Sequence, residues 1–378
     1  MARSLHHLAV LPLFAILAAC ASEAEPIPDG ATDAPEIVGD KSGGDKGSSG
    51  ASGASSGGGG SGSLEACLAQ PACDGQKGPT LGDKRAFTHS LSNVYSLATA
   101  YHRGRDMIYG AGDAQWIVGK FTYSLVDKDL EDEEIDVFVE RGCAGSWEKL
   151  GTTRTTSSST HATVEGVADS GGRVYFQIPS AKALAPGRHR IRMVVAGDHT
   201  SADLLVDVVP KGAKIVVSDV DGTLTSSETA EYPALLTGSL PDPQPHAADV
   251  LSTLAGKGYH VVYVTARPEW LTLRTHEFLA KNGFPPGIVH TTTGTTGALG
   301  GAAASFKSEE LTRLASHGLT IAWAFGNQPS DTDAYEAAKI EPRDHRVFLR
   351  VDDSHGGRRI EAYSEILPVA AKEAALCK

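Results

Sequence analysis

Positive charge is scarce in this chain. Its 34 Lys and Arg are outnumbered by 46 Asp and Glu, which leaves a formal net charge of -12 with histidine neutral. A polyanion would be repelled everywhere except at a local basic patch, so a nucleic-acid partner is not expected. Long apolar runs are missing as well: the stretch from Leu8 to Leu17 is too short to span a bilayer, and no later stretch is long and apolar enough. No Cys-x-x-Cys or His-x-x-x-His spacing is present to hold a zinc ion. The Thr- and Gly-rich stretch from Thr291 to Gly301 lacks the Gly-Lys-Ser/Thr ending of a P-loop, so it reads as a flexible connection rather than a phosphate cradle.

What is present begins with a leader. Arg3, His6 and His7 precede the Leu8 to Leu17 run, which has the length of a signal-peptide core, and Leu17-Ala18-Ala19-Cys20 reads as a lipobox. The expectation is a bacterial cell-envelope lipoprotein, anchored to a membrane through an acylated Cys20 and facing the periplasm or exterior. Residues 21–63, ending in the Gly/Ser run from Ser42 to Ser63, hold too few large apolar side chains to offset the entropy of ordering and read as a flexible tether. Cys67, Cys73, Cys143 and Cys377 remain, an even number that suggests disulfides in an oxidising compartment. Sequence leaves three pairings open, with Cys67 to Cys73 and Cys143 to Cys377 preferred.

Beyond residue 63 the texture changes once more. Up to residue 210 there are short alternating runs, among them Ile135 to Val139, Val174 to Ile178, Arg190 to Val194 and Leu204 to Val208, separated by Gly, Pro, Ser and Asp clusters. They predict a Cys-containing lead-in followed by an antiparallel β-sandwich, together spanning 64–210, with the alternating runs from Trp116 onward. In a strand Arg188, Arg190 and Arg192 share one face and could meet an anionic membrane. From residue 211 to 378 strand-like runs alternate with helical ones, such as Ala247, Leu251, Leu254 and Ala255 on one face and Leu271, Thr275, Phe278 and Leu279 on another. That is the pattern of an α/β domain with a parallel sheet, whose ligands bind at the carboxyl ends of the strands.

The chemistry-bearing residues fall at those ends. Asp219-Val220-Asp221-Gly222-Thr223 follows the run Ile215-Val216-Val217-Ser218. Asp219 is placed to attack phosphorus, and Asp221, one pleat further on, to protonate the leaving oxygen and then activate water. Thr265 and Arg267 follow the run Tyr259 to Val264 and offer a hydroxyl and a guanidinium to a phosphate. Lys307 opens an amphipathic segment, and Gly326-Asn327 with Asp331 closes the run Ile321 to Phe325. The expected metal ligands are Asp219, Asp221 through its main-chain carbonyl, and Asp331, and the expected ion is Mg2+. Thr223, Arg267 and Asn327 are expected on the substrate side, with Asn327 orienting Asp331 or a metal-bound water. The short span between Thr223 and Pro245 has room for a flap but not for a cap domain.

An aspartate nucleophile, then Thr, then Lys, then Gly-Asn with a trailing Asp, resembles the motif order of the haloacid dehalogenase superfamily. Ser305 to Leu311 and Ala324 to Tyr335 are most similar to the lipin-type phosphatidate phosphatase domain. Gly187 to Asp203 and Tyr263 to Pro268 resemble the membrane-associated phosphatidylinositol-transfer proteins, in which such a domain follows a small β-domain. The resemblance implies a haloacid-dehalogenase-like parallel sheet without a large cap, preceded by a small all-β sandwich. It implies a magnesium-dependent phosphatase acting on phosphatidic acid, a phospholipid at a membrane surface. A module that binds phosphatidic acid without hydrolysing it, or a phosphatase acting on a soluble phosphoester, are the alternatives.

Overall fold

A computed structural model describes residues 65–378, apart from residues 76, 232, 233 and 235–237. The leader, Cys20 and the Gly/Ser segment lie outside the described residues. After a short helix α1 (Ser90–Tyr95), ten strands follow in order. They are β1 (Arg103–Arg105), β2 (Met107–Gly110), β3 (Trp116–Lys120), β4 (Thr122–Tyr123) and β5 (Lys128–Asp129), then β6 (Glu134–Glu140), β7 (Trp147–Arg154), β8 (Arg173–Gln177), β9 (Gly187–Val195) and β10 (Ser201–Val209). One sheet has the order β1-β3-β8, a second the order β2-β10-β9-β6-β7, and β4 and β5 form a hairpin. Inward residues of both main sheets, including Ile117, Val137, Val174, Ile191 and Val206, close one core. The sandwich is antiparallel except where β2 runs parallel to β10.

The α/β part follows directly. It contains β11 (Lys214–Ser218), α2 (Ala247–Ala255), β12 (His260–Pro268), α3 (Thr272–Lys281), β13 (Ile288–Thr292), α4 (Gly300–Ser316), β14 (Thr320–Gly326), α5 (Pro329–Ala337), β15 (Arg346–Leu349), β16 (Arg358–Ile360) and α6 (Leu367–Lys372). Its six strands lie in the order β13-β12-β11-β14-β15-β16, all parallel. The apolar run of β11 is buried on both faces, as a central parallel strand requires: Val216 packs into the core beneath α2, Ile215 and Val217 into the core on the opposite side. That second core also takes Ile108 of β2 and Val209 of β10, so the sandwich packs on the α/β sheet through shared apolar side chains. A bridge from Thr225 to Pro243 closes the flap expected between Thr223 and Pro245.

The disulfides join Cys67 to Cys377 and Cys73 to Cys143. This corrects the preferred pairing. The lead-in chain is extended: the Cys67 N–H donates to the Lys378 carbonyl, while further along Arg188 donates to the Pro71 carbonyl and Arg190 to the Cys73 carbonyl. Six extended residues can span roughly 20 Å, so Cys67 reaches the C-terminus while Cys73 reaches the sandwich. The proposed basic face is also corrected. Arg188 is paired with Asp207 at 2.7 Å with its side chain fully buried, Arg190 and Arg192 both clasp Asp203 at 2.6 Å, and Lys211 is paired with Asp113.

Candidate active site

Three strand ends converge on Asp219. β11 delivers it, and its own N–H donates to the Phe325 carbonyl of neighbouring β14, which fixes the loop entry. Gly222 has φ +70, and a Cβ there would collide with the Asn327 side chain and the Glu228 carboxylate, so only glycine lets the two loops meet. The Asp219 side chain is buried, with Oδ1 2.9 Å from the Lys307 ammonium. Its Oδ2 lies 3.1 Å from the Thr223 hydroxyl, but that hydroxyl is nearer to Asn327 Oδ1, at 2.7 Å. A hydroxyl has one proton to donate, so Oδ2 is the less satisfied oxygen.

Lys307 projects from α4 and bridges two carboxylates, Asp219 and Asp331, the latter at 2.5 Å. Asp331 caps α5: its Oδ2 accepts from the backbone N–H groups of Asn327 and Gln328, each at 3.0 Å. Asn327 therefore orients Asp331 through its main chain, while its side-chain amide donates to Glu228 at 2.9 Å. Burial pushes the Asp219 carboxyl up to about 7; Lys307 opposes this, and Asp331 and Asp221 reinforce it. Burial works against the Lys307 ammonium, but the two carboxylates hold its pKa above the ordinary lysine value.

The structure brings Asp219, Thr223, Thr265, Lys307, Asn327 and Asp331 to one rim. It turns Asp221 and Arg267 on each other. Arg267 donates to both Asp221 oxygens, at 2.8 and 2.7 Å, and to the Thr275 hydroxyl at 3.0 Å, and lies 3.3 Å from Glu231. Thr265 is buried, with Oγ1 accepting from the Arg267 N–H at 3.4 Å. Beside them lies a cavity of about 580 Å³, whose lining does not include Thr223, Asn327 or Asp331. Asp219, Asp221, Thr265, Arg267 and Lys307 form its floor, and Glu228 and Glu231 of the flap stand on one side. The stretch read as a mere connection supplies another wall, through Thr296 and Ala298 to Gly301. Sequence carried no signal for Glu228 and Glu231 beyond their position in the flap. For the 298–301 wall the signal was there, since glycines before a helix let backbone approach a ligand.

The donor set suits a hard divalent ion in part. Among the described residues no three His, Cys, Asp or Glu side chains converge to hold a metal. Asp219 and Asp331 do converge, both buried, and share a single cation, so the cluster carries more negative than positive charge. Two carboxylates, with waters and substrate oxygens completing the shell, are what Mg2+ ordinarily takes. The Asp221 carboxylate is not available to such an ion while Arg267 holds it.

Comparison with known proteins matches both parts. A family model described as the β-sandwich domain of PITM 1-3 matches residues 100–208, and one described as the LNS2 domain of PITM 1-3 matches residues 216–349. Two domains of one protein type are matched in order. Membrane-associated phosphatidylinositol transfer protein 1 of Rattus norvegicus is 32% identical over 246 residues, covering 65% of this chain and 18% of that protein. Protein retinal degeneration B of Drosophila melanogaster is 30% identical over 270 residues, covering 70% of this chain and 19% of that protein. The chain thus spans less than a fifth of the length of these relatives. Among solved structures, a phosphoserine phosphatase from T. onnurineus is 15% identical, covers 43% of this chain and 96% of that one, and has a TM-score of 0.29, too low to carry an argument.

The comparisons correct the expected location. The relatives are rat, mouse, human and fly proteins, several of them named membrane-associated transfer proteins, and none points to a bacterial lipoprotein or to anchoring through an acylated Cys20.

Proposed function

We propose that the chain is a Mg2+-dependent phosphatase that hydrolyses phosphatidic acid to diacylglycerol and phosphate through an aspartyl-phosphate on Asp219. The observation that supports it is the buried Asp219 carboxylate, paired with Lys307 and facing a cavity of about 580 Å³. The lipid assignment draws on the relatives, whose names couple a membrane to a phosphatidylinositol. Asp219 Oδ2 attacks phosphorus, the bond to the glycerol oxygen breaks, and the departing oxygen takes a proton. Thr265 and Lys307 hold phosphoryl oxygens. Asp221 supplies that proton only when it is released from Arg267, whose guanidinium otherwise occupies both of its oxygens. A guanidinium that transfers to the arriving phosphate would free it and at the same time bind substrate. Water then attacks the phosphoaspartate, giving its proton to Asp221 and regenerating Asp219. Bound Mg2+, held by Asp219, Asp331 and the Asp221 main-chain carbonyl, would neutralise the charge gathered between carboxylates and phosphate.

A second reading is a module that binds phosphatidic acid without turnover. The Arg267 clasp on Asp221 favours it, since it removes the proton donor. Phosphate release from phosphatidic acid in mixed micelles, with and without Mg2+, beside Asp219→Asn and a water-soluble phosphoester, separates these readings. Mg2+-dependent release that Asp219→Asn abolishes supports the phosphatase. Release from the soluble ester alone removes the lipid assignment, and tight lipid binding without release favours the binding module.

A further inference from the structure

Of the nine large apolar side chains that stand exposed among the described residues, seven fall in two neighbourhoods. The first surrounds the turn between β4 and β5. Leu125 and Val126 at its tip are 88% and 84% exposed, and Leu91, Val94 and Leu97 stand exposed on and just after α1. The two pieces are tied together: the Ser124 N–H donates to the Thr99 carbonyl at 2.8 Å, and the Lys128 ammonium lies 5.3 Å over the Tyr95 ring. The second neighbourhood lies beside the mouth of the Asp219 cavity, with Trp270 and Leu299 exposed. The Trp270 indole N–H donates to the Thr295 carbonyl at 2.8 Å, which holds the ring beside the loop carrying Leu299, itself part of the cavity wall. One guanidinium joins the neighbourhoods. Arg103 reaches Asp127, next to Val126, at 2.7 Å and Glu269, next to Trp270, at 2.9 Å.

We propose that these two tips, one from the sandwich and one from the α/β part, dock the molecule on a lipid bilayer with the Asp219 cavity facing it. This rests on the lipid reading of that cavity and adds the surface that presents the headgroup. A surface that meets only water does not gather most of its exposed large apolar side chains at two such tips. Leu125 and Val126 stand on a turn rather than in a groove, and a convex apolar tip is buried by a fluid acyl layer without a complementary partner surface. A tryptophan with its N–H satisfied and its ring outward suits the headgroup level. Charge is compatible in spite of the overall -12: at the hairpin Asp127 is neutralised by Arg103 and Asp129 by Lys120, leaving the exposed Lys128 as the outward charge.

The test is flotation of the full chain with large unilamellar phosphatidylcholine vesicles, with and without phosphatidic acid, alongside hydrolysis of p-nitrophenyl phosphate. Leu125→Asp combined with Val126→Asp is expected to lower vesicle partition at least about tenfold and to leave hydrolysis of the soluble ester unchanged. Trp270→Ala is expected to lower partition by a smaller factor. A wild-type chain that stays unbound to both vesicle types overturns the proposal, as do variants that both float like wild type. The two readings fail separately: binding that depends on the tips without any phosphate release sinks the phosphatase and supports docking, whereas release without vesicle binding sinks docking.

Discussion

Glu269 and Asp219 are both buried carboxylates at the carboxyl end of the parallel sheet, yet their surroundings are opposite. Glu269 sits between two guanidiniums brought by the sandwich, Arg103 at 2.9 Å and Arg173 at 2.9 Å, in a space of about 10 Å³. Every charge there is answered, and Asp127 balances the second cation. Asp219 shares one ammonium with Asp331 and opens on about 580 Å³. Complete pairing in a closed space fixes two layers of the fold to each other. Incomplete pairing beside open volume is what a site for a charged ligand needs, because the ligand or its ion can supply what is missing.

The sharpest way to break that comparison is Asp219→Asn. It removes the proposed nucleophile and one of two carboxylates competing for Lys307. Phosphatase activity should fall a thousandfold or more, about 4 kcal/mol or more in activation free energy, while the thermal midpoint stays level or rises. A variant that keeps wild-type turnover would remove Asp219 from the chemistry, and one that unfolds would make it structural like Glu269. Glu269→Ala should do the reverse. It leaves the Arg173 guanidinium buried without its carboxylate, at a cost of roughly 3 to 5 kcal/mol readable by urea denaturation. A loss below about 1 kcal/mol would show that the clasp is not what holds the two layers.

Arg267 lies between these cases, fully paired in the structure yet on the cavity floor. If it must pass from Asp221 to the phosphate, Arg267→Lys should raise the KM roughly tenfold, about 1.4 kcal/mol, because a lysine cannot bind both partners in the fork geometry. A change confined to kcat would place Arg267 with Asp221 only and argue against the transfer.

The sequence made the chemical order legible because it is local. An apolar run fixes a parallel strand, and the residue after it must stand at the rim; hence Asp219, Thr265 and Asn327 were placed by the runs before them. The helix faces through Leu251 and Leu254, and through Phe278 and Leu279, were equally readable, as periodicity reports burial. What could not be read depends on residues far apart meeting. Arg267 offers the same donors to a phosphate and to Asp221, and only the fold chooses the latter. Arg103 and Arg173 carried no mark of a partner at Glu269, and Arg188, Arg190 and Arg192 looked like a free basic face until Asp207 and Asp203 came opposite on β10. The disulfides failed for the same reason, since the path of an extended lead-in across two layers is set by tertiary contacts.

The gentlest probe of the paired class is pH. Glu310, one turn beyond Lys307 on α4, faces Arg105 at 2.6 Å, His290 at 2.8 Å and Arg313 at 2.6 Å. Burial would raise its carboxyl, but Arg105, His290 and Arg313 outweigh it and hold the group well below the usual carboxylate range. A folded-state pKa below the unfolded value of about 4.3 means that the contribution is fully present above that value. It is lost as pH falls through the lower, folded one. The thermal midpoint should therefore drop on acidification below about pH 4.3, and Glu310→Gln should flatten that part of the curve by removing the ionised form that Arg105 and Arg313 stabilise. An unchanged acid slope in the variant would mean that the Arg105 contact from the sandwich does not hold Glu310 ionised, and that this seam, unlike the one at Glu269, is not secured by charge.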